Sequence, residues 1–119
     1  MSELISDNYK SQNESLHLDG LFGISGYKWA PTVAWIIQRH QFQRVLDYGA
    51  GQQTLKKSLQ ELKNVHIDCY DPAIPELAKL PQPADLVTCT DVLEHIEPEC
   101  IDDVLDHIKS VTGKMVLLV

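Results

Sequence analysis

Apolar positions in this chain follow two rhythms, one helical and one strand-like, and the two alternate. Between Tyr27 and Gln41, the residues Val33, Ile36, Ile37 and His40 recur at helical spacing. Pro31 lies near the start, where a first-turn proline is tolerated. That stretch predicts an amphipathic helix packed on a sheet. Arg44–Tyr48 predicts a first short strand, and Gln52–Lys63 a helix with Leu55, Leu59 and Leu62 on one face. Val65–Tyr70 is a second strand, ended by Asp71-Pro72, after which Pro75, Pro81 and Pro83 allow only a turn or two of helix. Ala84–Cys89 is a third strand. From Pro98, a helix carries Ile101, Val104, Leu105, Ile108 and Val111 at its period, with Asp102, Asp103 and Asp106 facing out. Gly113 stops it, and Met115–Val119 is a fourth strand.

Strands alternating with helices predict an α/β fold, a Rossmann-like open parallel sheet with helices on both faces. Strands this apolar should be buried on both sides. The polar residues 1–26, with Gly20, Gly23 and Gly26, form an N-terminal arm or lid, and residues 27–119 the folded domain. Asp71 and Ala84 are too close for the usual helix, strand and second helix between them. The chain also stops inside its last strand. An uncovered apolar edge invites pairing, so the expectation is an N-terminal part of a longer protein, with self-association through that strand as an alternative.

Composition narrows the class. With 44% apolar and 23% charged residues, the 119-residue chain is an ordinary globular one. Its formal charge of -7 argues against a broad nucleic-acid surface. No apolar run approaches a membrane span and the N-terminus is not signal-peptide-like. Cys69, Cys89 and Cys100 lack metal-type spacing and read as reduced, buried thiols, which places the protein in the cytoplasm.

Three segments collect at strand C-termini, where open α/β sheets bind ligands. They are Asp47-Tyr48-Gly49-Ala50-Gly51, then Asp71-Pro72, then Thr90-Asp91-Val92-Leu93-Glu94-His95. Glycines let backbone approach a ligand closely, and Asp71 follows Gly51 at the distance of a carboxylate that binds ribose hydroxyls. If the first and third strands are neighbours, the first and third segments meet at the switch point.

VLDYGAG, YDPA, ADLVTCTDVLEHIEP and GKMVLLV together resemble the class I S-adenosylmethionine-dependent methyltransferases, over about Arg44 to Val119. DLVTCTDVLEHI is similar to small-molecule and RNA O-methyltransferase branches. The resemblance implies that Asp47, Tyr48, Gly49, Ala50 and Gly51 contact the methionine part of S-adenosylmethionine. Asp71, with Pro72, would hold its ribose. Thr90 and Asp91 would border the methionyl end and the acceptor, a small molecule or RNA methylated on oxygen or nitrogen, with Asp91 and His95 as catalytic candidates. The physics agrees, because carboxylates offset a sulfonium and an ammonium and would repel a pyrophosphate. A sheet of four strands in order 2-1-3-4 follows. The chain departs from the family in having Gln53 at a common glycine position. It also lacks the family's third strand with its acidic residue near adenine, and its last two strands.

Other readings compete. Asp91, Glu94 and His95 resemble a magnesium-holding E-x-x-E-H segment, but a hard cation needs several oxygen ligands, so metal is the weaker reading. Glu94 could instead cap a helix, and His95 could be an active-site wall. Asp47 and Asp71 could serve turns. His17, His40, His66 and His107 read as structural or solvated, and Lys56, Lys57 and Lys63 as a solvated face. Trp29 and Trp35 read as packing the first helix, with Trp29 over the cofactor pocket as the alternative. Two further functions stand beside the enzyme: a non-catalytic cofactor-binding or protein-interaction module, and a dinucleotide-binding domain.

Overall fold

A computed structural model describes residues 26–119 of the chain. The expected arm or lid, with His17, lies outside the described residues, save Gly26, which opens the first helix. The elements are α1 (Gly26–His40), β1 (Arg44–Tyr48), α2 (Thr54–Ser58), β2 (His66–Tyr70), β3 (Ala84–Cys89), α3 (Pro98–Val111) and β4 (Thr112–Leu118). Single 3-10 turns at Pro75–Leu77 and Leu93–His95 interrupt the loops. All four strands are parallel in the order β2-β1-β3-β4. This is the expected open Rossmann-like sheet, with its switch point between β1 and β3.

Strand alternation divides the core in two. Val45, Ile67 and Leu86 face α1 and α2, meeting Val33, Ile37, Leu55 and Leu59. Leu46, Tyr48, Tyr70, Val87 and Cys89 face the other way, onto Val104, Ile108 and Val111 of α3. Helices therefore cover both faces.

The structure corrects several expectations. The helix after β1 spans only Thr54–Ser58, because at Leu59 the amide is shared between the Leu55 and Lys56 carbonyls and the chain continues as turns. The fourth strand starts at Thr112 with Gly113 inside it, so Gly113 does not end the helix. A Cβ there would lie 2.9 Å from the Ala84 carbonyl oxygen, beside a register shift between β3 and β4. β4 is not buried on both faces: Met115 and Leu117 pack on the α1 side, while Val116 and Leu118 are exposed. Leu105, placed on the buried stripe of α3, is exposed, and Cys100 takes a buried place instead. Trp35 is 63% exposed and packs nothing down.

Candidate functional site

β1 delivers its C-terminus into a turn that passes through Gly49 at φ +84° and Gly51 at φ +55°. Glycine adopts these values without the Cβ clash that strains other residues. Gln53, where the family commonly has glycine, also takes a left-handed conformation (φ 60°) before α2 begins. The amides of this turn are directed back onto the end of β2. Gly49 and Ala50 both donate to the Tyr70 carbonyl, at 2.7 and 3.0 Å. Gly51 donates to Asp71 Oδ2 at 3.0 Å, and Ala73 donates to Oδ1 of the same carboxylate at 3.0 Å. Asp71 thus fastens the first loop to the second.

Asp47 sits one step before the turn on the α1 face of the sheet and is buried. Its register partner on β3, Thr88, donates a hydroxyl hydrogen bond to Asp47 Oδ1 at 3.0 Å. Burial pushes its pKa up to about 7; the Thr88 bond opposes that rise and the charge of Asp71 adds to it. Near neutral pH the carboxyl is poised between its two forms.

The third segment adjoins the turn. A Cβ on Gly49 would come within 2.5 Å of Val92 Cγ2, so the two loops touch, and Gly49 is needed for this packing whatever else it does. Asp91 has φ 56°, a conformation that aspartate tolerates better than most residues. Its amide donates to the Val119 carbonyl, and its Oδ2 accepts from the Trp29 indole N–H at 3.0 Å. Thr90 beside it is buried. Pro72 is half-buried and Ala50 buried.

Two expectations fail in detail. Asp91, Glu94 and His95 do not share a helical turn: the 3-10 turn begins at Leu93, and Asp91 precedes it in a left-handed conformation. Glu94 is exposed, and among the described residues no group of three or more histidine, cysteine, aspartate or glutamate side chains could hold a metal. Nor does Glu94 cap α3, whose N-cap residue is Glu97. His95 is half-buried at the end of that turn, its amide bonded to the Val92 carbonyl.

The Tyr48 side chain is turned away from the loops, into the core beneath α3. Its hydroxyl lies 2.7 Å from His107 Nδ1, and the rings of Tyr48, Tyr70 and His107 pack together with centroids 4.9 to 5.6 Å apart. Of the two readings of His107, structural or solvated, the structural one holds. The signal was available: His107 stands three residues after Val104 and four before Val111, on the buried stripe of α3. His66 and His40 have partners too, Asp68 at 2.7 Å and the ring of Phe42. Cys89 and Cys100 are buried and Cys69 is half-buried, and none of the three forms a disulfide among the described residues.

The structure thus bonds Gly51 to Asp71, sets Val92, the neighbour of Asp91, against Gly49, ties Asp47 to Thr88 behind the turn, and sends the Tyr48 ring elsewhere. Compared with protein-family models, curated proteins and solved structures, the chain matches none.

Proposed function

We propose that the turn and its carboxylates bind S-adenosylmethionine and that the chain is the cofactor-binding domain of a cytoplasmic methyltransferase. One observation carries this reading: the turn amides of Gly49, Ala50 and Gly51 are taken up by Tyr70 and Asp71. A phosphate site needs such amides free to point at the anion. What remains around this turn is carboxylate, which suits a cationic ligand bearing hydroxyls and disfavours a dinucleotide.

The donor set fits the cofactor. Asp47 lies behind the turn, where its negative charge would offset the ammonium and sulfonium. Asp71, at the end of β2, is a carboxylate of the kind that binds ribose hydroxyls, and Thr90 and Asp91 border the methionyl end. The bound cofactor supplies an electrophilic methyl group for an in-line displacement. The chain's own part is orientation, which supplies a large share of the rate in such reactions. His95 is the candidate to take a proton from an oxygen or nitrogen acceptor. The acceptor class is a small molecule or RNA.

Calorimetry with S-adenosylhomocysteine and with NAD tests the reading. Binding of the first, lost by about tenfold or more in Asp71→Ala, is the expected result. A folded chain that binds NAD, or neither ligand, overturns it. Binding with no methyl transfer to any small molecule or RNA would instead support a non-catalytic cofactor-binding module.

A further inference from the structure

Trp29 belongs to α1, the helix that precedes the whole sheet, yet its indole reaches the loop after β3, sixty-two positions away. Two contacts bring α1 there. A Cβ on Gly26 would run into the Leu55 amide nitrogen and Thr54 Oγ1, so the start of α1 lies directly on the first turn of α2. Ala30 and Val33 then pack into the core beneath. Trp29, half-buried on that core, is left at the edge where α1 passes the strand ends, with Lys28 Nζ 5.1 Å from its ring centroid.

Its partner is a residue whose geometry needs holding. Asp91 has a left-handed backbone, is tied at its amide to Val119, and adjoins Val92, which packs on Gly49. The indole N–H takes Oδ2 at 3.0 Å, while Oδ1 accepts no hydrogen bond among the described residues. An indole has one donor and no acceptor, so it fixes one oxygen without neutralising the carboxylate. The remaining oxygen is left as an acceptor with a set direction.

We infer that Trp29 is a positioning residue for the ligand site: it holds Asp91 so that Oδ1 meets the cationic end of the bound cofactor. This rests on the cofactor reading above and adds to it that the helix before β1, and not the strand-end loops alone, builds the site. Ligand binding and the docking of α1 are then coupled through one hydrogen bond.

A double-mutant cycle on the chain, read by calorimetry with S-adenosylhomocysteine, is the test. Trp29→Phe keeps a ring and removes the N–H, and should weaken binding by about tenfold, as expected for a hydrogen bond to a charged group. Asp91→Asn keeps the left-handed backbone within reach and removes the charge. In that background Trp29→Phe should change affinity by less than about twofold, a non-additivity that general loosening of the fold would not produce. Equal losses in both backgrounds, or no loss in either, overturn the inference while leaving the cofactor reading standing. No binding by the folded wild-type chain overturns both. Should Trp29→Phe fail to fold, Trp35→Phe decides, because it leaves Trp29 as the sole tryptophan and removes only an exposed side chain. Its emission should then shift with S-adenosylhomocysteine at the calorimetric midpoint, and an unchanged spectrum at saturation overturns the inference.

Discussion

Asp47 and Tyr48 are consecutive residues of one strand, and the sheet sends them to opposite fates. Asp47 turns towards α1, accepts from Thr88 and is fully enclosed, with its pKa raised to about 7 by burial. Tyr48 turns towards α3 and closes an aromatic cluster with Tyr70 and His107. Burial raises the phenol's pKa as well, but this group is neutral at working pH in any case, so its enclosure leaves no charge to compensate. One face therefore holds a polar group that a ligand would complete, and the other a polar pair already complete. The difference teaches that burial alone does not mark a site. A buried ionisable group whose charged form lacks compensation does.

The largest test of that contrast is Asp47→Asn. A carboxyl whose folded pKa lies near 7, against an ordinary value of 3.8, contributes stability that is fully present below about 3.8 and lost as pH rises through about 7. Asparagine removes the loss and still accepts from Thr88. Urea titration should show the variant more stable by roughly 2–4 kcal/mol at pH 8 and unchanged at pH 4. Calorimetry should show its affinity for S-adenosylmethionine reduced by about two orders of magnitude at pH 8, as expected for loss of a buried charge partner. Greater stability with undiminished binding would make Asp47 a mere core residue and remove the contrast.

Gly49→Ala probes the loop between the two faces. The substitution meets both a positive φ and the Val92 side chain, with Cγ2 at 2.5 Å and Cγ1 at 2.9 Å. A loss of roughly 2–3 kcal/mol in thermal or urea unfolding is expected. Val92→Ala in the same chain should return part of it, because the steric component disappears while the backbone strain stays. No recovery would mean that strain alone accounts for the glycine.

Much of this was legible in the sequence, and what was not has physical causes. Apolar runs bounded by glycine and proline located every strand, and their parallel direction followed from their alternation with helices, while the order 2-1-3-4 rested on the family resemblance. The glycines, Asp47, Asp71 and Asp91 announced a strand-end site through their spacing. Period-two alternation also said that Asp47 and Tyr48 could not both face the loops. Weighing the segment as one motif left the direction of the Tyr48 ring unread. The short α2 was not legible, since no glycine or proline lies between Ser58 and Lys63 and only the turn at Leu59 ends it. The Trp29–Asp91 bond joins residues sixty-two positions apart, and no local pattern encodes such a pairing. The turn amides bonding to Tyr70 and Asp71 are a tertiary fact of the same kind, and they bear most on the choice of ligand.

The smallest expected effects lie on the completed face, and they sharpen the contrast by their sign. Desolvation lowers the pKa of His107 and favours the neutral ring, which pairs with the Tyr48 hydroxyl through Nδ1. A histidine with a depressed folded pKa contributes stability that is present above its ordinary value of 6.5 and lost as pH falls through the lowered one. This window runs opposite to that of Asp47, so the two are best separated in the Asp47→Asn background. There, Tyr48→Phe or His107→Phe alone should cost about 1 kcal/mol at pH 7.5, because each leaves one polar atom of the pair without its partner. The double variant should cost less than the sum, since replacing both partners by apolar groups of similar shape is close to neutral. It should also lose the fall in stability on acidification that its parent shows. Tyr48→Phe in the wild-type background should leave S-adenosylhomocysteine affinity within about twofold, because the ring faces α3 and only backbone remains at the turn. A large loss of binding there would mean that the two faces are coupled through β1, and that the aromatic cluster is part of the ligand site.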